Sequence, residues 1–471
     1  MELLSRDFKG DVAKALADPV LQTNLSRLKG NFLARRQKAR ESLPEFDTLR
    51  DEAKAIKDHT LAHLDLYLEA FEAQVKATGG EVHWARDAAE ARVIVLAICR
   101  AERARTVTKG KSMIAEEIGL NHFLEAHGIE PVETDLGEYI IQLAHEPPSH
   151  IIAPAIHKNR EQVAELFARY HPHLNGRKLE DIDDMLADAR KVLRERFLKA
   201  DVGITGANFM IAQTGQTVIV TNEGNGDLTQ LLPRVHVAIA SIEKLVPTLE
   251  DATTILRVLA RSGTGQEMSS YTTFSAGGRR AGETDGPEAF HVVILDGGRS
   301  AMLGTEVQDM LRCIRCGCCL NACPVYGKLG GHAYGSTYSG PMGSVLTPAL
   351  AGLEGAKHLP FASTLCGRCE EVCPMRIPIP RMLRHWREEE TRRAMTPPAA
   401  RWGLGLWGAV ASRPRLYRRL ARLGIGLLGR LGRRRGRFAN LPLAGGWTEG
   451  RELPAPEGRT FQDLWQAGKR P

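Results

Sequence analysis

The sequence predicts an α/β domain with a mainly parallel sheet, followed by a small α-helical module that gathers cysteines. Two observations carry this. Between residues 81 and 300, short β-branched runs alternate with helical stretches, the pattern of strands returned to a parallel sheet by helices. Between residues 313 and 374 fall eight of the nine cysteines, in two spaced runs, with only Cys99 outside. A third observation sets the carboxyl-terminal part aside: residues 413–437 hold ten arginines and no acid.

A chain of 471 residues predicts two or three domains with ample core. We expect a helical arm over 1–78, the α/β domain over 79–300, the cysteine module over 301–394 and a basic tail domain over 395–471. Hydrophobic residues make up 43% and charged residues 25%, an ordinary globular composition. No apolar stretch reaches the length of a membrane span. The start, Met1-Glu-Leu-Leu-Ser-Arg-Asp, lacks the apolar core of a secretory leader. Clustered thiols without a leader place the chain in the reducing cytoplasm. The net charge of +7 is concentrated in the arginine stretch. No nucleic-acid recognition motif accompanies it, so nucleic acid is not expected as a partner.

In chain order, residues 10–78 read as helix. Leu61, Leu64, Leu68 and Phe71 recur at helical spacing, and Gly79-Gly80 stops the helix. This arm is expected to pack on the following domain or on another subunit. Strands are expected at Arg92-Val-Ile-Val-Leu, His150-Ile-Ile-Ala, Gln216-Thr-Val-Ile-Val, Val235-His-Val-Ala-Ile-Ala and His291-Val-Val-Ile-Leu. Helices are expected over 114–127 and 160–170. In such sheets ligands sit at the carboxyl ends of strands. Three stretches suit a site: Thr108-Lys109-Gly110-Lys111-Ser112, the acidic turn Glu133-Thr134-Asp135-Leu136-Gly137-Glu138, and Gly203-Ile-Thr-Gly206-Ala-Asn208 with Thr221-Asn222-Glu223-Gly224-Asn225-Gly226-Asp227. Lysines and backbone N–H groups ahead of a helix suit an anion, and glycines let a backbone approach a ligand. Each stretch also reads as a plain turn. Glu223, flanked by glycine, is the candidate catalytic carboxylate of a transferase acting on a thioester. Residues 263–286 read as a long loop, 301–312 as a short helix, 324–362 as a Gly-rich connection and 376–394 as a charged helix. In the tail, 402–431 mixes Leu, Gly and Arg, and Phe461-Gln-Asp-Leu-Trp465 ends it with an apolar anchor. That composition suits an amphipathic helix on an anionic membrane surface or a partner-docking element.

The cysteine runs are the most specific signal. The first, Cys313-Ile-Arg-Cys316-Gly-Cys318-Cys319-Leu-Asn-Ala-Cys323-Pro324, has the spacing C-x2-C-x2-C-x3-C-P; the second is Cys366-Gly-Arg-Cys369-Glu-Glu-Val-Cys373-Pro374. Three thiolates from one tight loop converge on a cubane, while the fourth points away to a second cluster. Two [4Fe–4S] clusters follow. Cluster one takes Cys313, Cys316, Cys319 and Cys373; cluster two takes Cys323, Cys366 and Cys369. Cluster two is one thiolate short, because Ser363 stands where a full run carries cysteine. Its fourth iron is held by Ser363, by water or by a partner, or is absent, leaving [3Fe–4S]. Cys318 reads as a small buried side chain. A structural zinc site needs paired ligands with gaps that this run lacks, and disulfides between cysteines so close are strained.

The helical arm, the Thr221-Asn222-Glu223-Gly224-Asn225-Gly226 stretch, the two runs with Pro324-Val-Tyr and Leu365-Cys366, and the Trp447-Thr448 tail together resemble the lactate utilization protein B family over nearly the full length. The resemblance implies an α/β domain of the LUD type, related to CoA-transferase and ribose-phosphate-isomerase folds, joined to a ferredoxin-like two-cluster module. It implies an iron–sulfur electron-transfer subunit that works with two other subunits to oxidise L-lactate, a 2-hydroxy acid, to pyruvate. It also implies four cysteines on the first cluster and three on the second. Cys318 departs from the family, where that position is commonly a small non-thiol residue. The competing reading is an α/β transferase or ligand-binding module whose clusters are structural or regulatory.

Overall fold

A computed structural model describes residues 7–28, 32–441, 444–448 and 451–468. Residues 1–6 of the stretch read for a leader, and Glu449, Gly450 and the Trp447 side chain of the tail, lie outside the described residues. The chain divides into two compact units, Met1–Glu389 and Glu390–Pro471.

The strands of the first unit are β1 (Glu81–Ala85), β2 (Thr106–Lys109), β3 (Glu130–Glu133), β4 (Val202–Gly206), β5 (Phe209–Ile211), β6 (Gln216–Thr221), β7 (Val235–Ser241), β8 (Leu245–Val246), β9 (Tyr271–Ser275) and β10 (Ala289–Leu295). Six form one sheet in the order β1-β10-β7-β4-β2-β3, and every pairing in it is parallel. The other four form a second sheet, β8-β5-β6-β9, in which β6 pairs antiparallel with β5 and β9.

Alternate residues of the central strands feed two cores, as a sheet covered on both faces requires. Val237, Ile239, Val293 and Leu295 pack with Val95, Leu96 and Cys99 of helix Ala88–Ala101. Ala238, Ala240, Val292 and Ile294 pack with Phe71 and Val75 of helix Leu64–Ala77. The amino-terminal arm therefore covers one face of the sheet. Its buried Lys57 donates to the carbonyls of Glu243 and Leu245, the latter at 2.8 Å.

Several elements differ from the sequence reading. Arg92-Val-Ile-Val-Leu lies inside helix Ala88–Ala101, whose Asp87 cap accepts from Ala89 N and Glu90 N. Ala91, Val95, Ile98 and Cys99 of that helix are buried, a spacing of four and three that puts them on one helical face; a short β-branched run does not decide between helix and strand. His150-Ile-Ile-Ala forms no strand; the His150 ring organises a bend there by accepting from Ile152 N and Ala153 N through Nδ1. The helix over 114–127 is two, Met113–Glu117 and Leu120–Ala126, broken at Gly119 with φ +64°. The 263–286 loop contributes β9. The 324–362 connection contains helix Gly340–Ala351, which buries Met342, Val345 and Leu346. Residues 301–312 form two short 3-10 turns, Ser300–Met302 and Gln308–Arg312.

In the second unit, helices Pro398–Ala411 and Pro414–Gly432 precede a two-stranded antiparallel pair, β11 (Arg437–Phe438) with β12 (Leu453–Pro454), and helix Phe461–Gln466. Arg422 pairs with Asp463 within it. No helix among the described residues is long and apolar enough to cross a membrane.

Candidate iron–sulfur centre and adjoining cleft

The two cysteine runs fold as repeats of one loop. Arg315 and Leu365 sit at φ +57° and +54°, and Gly317 and Gly367 at +71° and +80°. Each left-handed pair turns the chain into a short helix, Cys318–Ala322 or Arg368–Val372, and the two helices pack on each other. The non-glycine residues held left-handed mark strained backbone, which persists where surroundings enforce it.

Cys313, Cys316, Cys318, Cys319 and Cys373 line one small cavity, walled by Met310, Met342 and Ile377. Burial pushes the Cys319 thiol well up, and the neighbouring Cys313, Cys316 and Cys373 push it further. A second set draws together around Cys369: burial pushes that thiol to about 12, with Cys323 and Cys366 contributing. Cys366 is exposed. Thiols gathered this closely fit a bound iron core, whose positive charge stabilises the thiolates. Cys318 is buried, and its thiol donates to the Val372 carbonyl at 3.4 Å. The Ser363 hydroxyl accepts from Leu365 N at 3.1 Å.

The arm holds the second run from outside. Arg36 donates to the Val372 carbonyl at 3.0 Å, and Arg50 to the Glu371 and Cys373 carbonyls at 2.8 and 2.7 Å. These carbonyls end a short helix, where cations are favoured. On the other side, His150 Nε2 donates to Asn321 Oδ1 at 3.0 Å, its Nδ1 being occupied as an acceptor. A Cβ on Gly263 would stand 3.0 Å from the Cys316 carbonyl, so the α/β domain approaches the first loop closely.

Beside the first loop, at the carboxyl ends of β2, β4 and β7, opens a cleft of about 620 Å³. Residues of all three stretches singled out in the sequence line it: Gly110 to Ser112, Asp135 to Gly137, and Gly206, Asn208, Thr221 to Glu223 and Asn225. Lys244, Arg315, Cys316 and Tyr338 complete its wall. Within the lysine stretch the two lysines differ. Lys109 is buried and pairs with Glu133 at 2.7 Å and Glu116 at 3.1 Å, so it and the acidic turn's Glu133 serve the core. Lys111 donates to the Ile152 carbonyl at 2.9 Å. Asp135 caps helix Leu136–Ala144. Glu223 is exposed.

Beneath the cleft runs a buried ionic chain. Arg299 meets Glu117 through both nitrogens, at 2.9 and 2.6 Å, and reaches Glu243 at 2.9 Å. Glu243 also faces Arg315 at 3.3 Å, and the Tyr338 hydroxyl donates to Glu117 at 2.6 Å. Despite burial, the guanidinium groups hold the Glu243 carboxyl down at about 2. Sequence reasoning passed over Lys244, Arg315, Arg36 and Arg50. Arg315 alone carried a local signal, its place between two cysteines of the first run.

Residues 68–295 match the LUD domain, and residues 309–377 the 4Fe-4S dicluster domain. Lactate utilization protein B of Bacillus pumilus is 40% identical over 99% of this chain and 98% of its own length. That of Shouchella clausii is 42% identical over 98% and 97%. The uncharacterized electron transport protein YkgF of Escherichia coli K12 is 39% identical over 98% and 96%. With both domains in this order, and relatives matched from end to end, the chain belongs to the lactate utilization protein B family.

Proposed function

We propose that this chain is the iron–sulfur electron-transfer subunit of a cytoplasmic complex of three proteins that oxidises L-lactate to pyruvate. The observation that supports the reading is that Cys373, from the second run, lines one cavity with Cys313, Cys316 and Cys319 of the first. Cluster one is a four-iron cubane on Cys313, Cys316, Cys319 and Cys373. Cluster two is held by Cys323, Cys366 and Cys369, with one iron lacking a thiolate. The clusters supply one-electron transfer; the chain's own residues bury Cys319 and Cys373 and place Cys316 on the wall of the cleft. The α/β domain is of the CoA-transferase and ribose-phosphate-isomerase type, and the tail unit contacts an anionic membrane surface. The alternative, an α/β transferase, would use Glu223, an exposed carboxylate at the cleft; the gathered cysteines favour electron transfer.

The test is iron and sulfide analysis with EPR on anaerobically purified protein, followed by L-lactate addition to the assembled complex. Two clusters are expected, and both are reduced by L-lactate. Cys316→Ser removes cluster one and spares cluster two; Cys323→Ser does the reverse. Loss of the same signal in both variants refutes the crossed ligand sets. Reduction by another 2-hydroxy acid but not by L-lactate refutes the substrate.

A further inference from the structure

The cleft has a cationic wall next to Cys316. Lys244 is 6% exposed. Among the described residues its ammonium donates no hydrogen bond and makes no ion pair. Arg315 is 9% exposed, and its Nη1 has no hydrogen-bond partner. Its guanidinium lies 4.9 Å over the Tyr338 ring, which fixes its plane against the wall. The nearby carboxylates are already committed. Glu117 takes Arg299 and Tyr338, and Glu243 is divided between Arg299 and Arg315. Two carboxylates balance two guanidiniums, and the Lys244 ammonium has only Glu243 and the Cys313 sulfur as negative neighbours. What the wall leaves unused is donors: the Lys244 ammonium and Arg315 Nη1 sit buried without an acceptor, which is costly, so the wall suits an anion that accepts from both. The Asn225 amide oxygen, also buried and without a partner, lines the same cleft and suits a hydroxyl donor.

We propose that this cleft binds a small 2-hydroxy or 2-oxo acid, its carboxylate held by Lys244 and Arg315 beside Cys316. The proposal rests on the electron-transfer reading above and adds that the substrate site lies in this chain rather than in a partner. The two cations also serve an electrostatic need, since an acid placed beside a cluster of negative thiolates requires positive charge near both. The cleft is larger than a three-carbon acid requires, so the acid fills the end at Lys244 and the remainder stays open.

The experiment titrates the full-length, cluster-loaded chain with pyruvate by ligand-observed NMR and calorimetry, with L-lactate and inorganic phosphate as comparison ligands. Pyruvate and L-lactate bind saturably, and phosphate does not displace them at equal concentration. Lys244→Met weakens pyruvate at least tenfold at unchanged iron and sulfide content, and Lys244→Arg restores most of the affinity. Asn225→Asp, which puts a negative charge in the cleft, weakens it independently should Lys244→Met fold poorly. Absence of pyruvate binding to the wild type overturns the proposal. So does an unchanged affinity in Lys244→Met with a shifted cluster potential, which would assign the ammonium to the cluster. In either case L-lactate still reduces the clusters of the complex, and the electron-transfer reading stands with its substrate on a partner. Pyruvate binding without any lactate-dependent cluster reduction keeps the site and overturns the function.

Discussion

Ser363 follows Cys313 by the same fifty residues that separate Cys316 from Cys366 and Cys319 from Cys369, and the two loops share their left-handed positions. On the proposed ligand sets, Ser363→Cys would therefore supply the thiolate missing from the second cluster. After mild oxidation, the three-iron EPR signal of cluster two should fall several-fold in this variant; an unchanged signal would show that residue 363 does not face the cluster. His236 illustrates a different residue-scale effect. It is fully buried in β7 against Phe290, with Nε2 2.8 Å from Thr205 Oγ1. Burial pushes its pKa down to about 3, with His291 adding to the shift. Unfolded histidine titrates near 6.5, so on acidification the unfolded chain takes up this proton first. The stability contribution is complete above about pH 6.5 and is lost progressively as pH falls toward 3. At pH 5.5 the loss is on the order of 1 kcal/mol. The drop in melting temperature between pH 7.5 and 5.5 should be smaller in His236→Gln than in the wild type. An equal drop would remove His236 as a source. Cysteine spacing was legible in the sequence because a cluster imposes its geometry on neighbours along the chain. Lys244 and Arg50 were not, because their partners lie far away in sequence.

At the scale of elements, β6, β7 and β10 were legible because their β-branched runs are bounded by turn residues. Arg92-Val-Ile-Val-Leu was misread because only its flanks decide it: the Asp87 cap and the buried Ala91 and Cys99 make one helical face. β9 escaped notice because Tyr271–Ser275 is polar and only partly buried, and antiparallel pairing with β6 defines it. The three site stretches were legible only in part: residues 203–206 belong to β4, and residues 225–227 open a helix. Their meeting at one cleft follows from the parallel strand order, which no local window contains. The same topology brings Glu117, Glu243, Arg299 and Arg315 from four separate segments into one buried chain. Glu243→Gln leaves two buried guanidiniums short of charge, a loss of roughly 3–5 kcal/mol. In a domain of this size the melting temperature should fall on the order of 10 °C, followed by near-UV circular dichroism. A shift of a degree or less would mean that solvent compensates the network.

At the scale of the whole molecule, the charge asymmetry of the sequence becomes a two-sided unit. In helix Pro414–Gly432, Leu416, Leu420, Leu423, Leu427 and Leu431 recur every three or four residues and are each 39–71% exposed. Arg415, Arg418, Arg419 and Arg422 fall between them. The preceding helix exposes Trp402 at 79% and Trp407 at 65%. An exposed leucine stripe edged by arginine, with tryptophans at its start, matches the boundary between lipid headgroups and acyl chains. Each arginine near an anionic surface contributes about 1 kcal/mol, and added salt screens that attraction. The full chain should therefore float with vesicles containing phosphatidylglycerol, much less with neutral phosphatidylcholine vesicles, and the recovery should fall as salt is raised. Replacing Leu423 and Leu427 with Glu should abolish flotation while leaving the iron content and the cluster EPR unchanged, because the helix lies outside the unit that carries the cysteines. If flotation survives that double replacement, or is equal on neutral vesicles, the leucine stripe faces a protein partner instead.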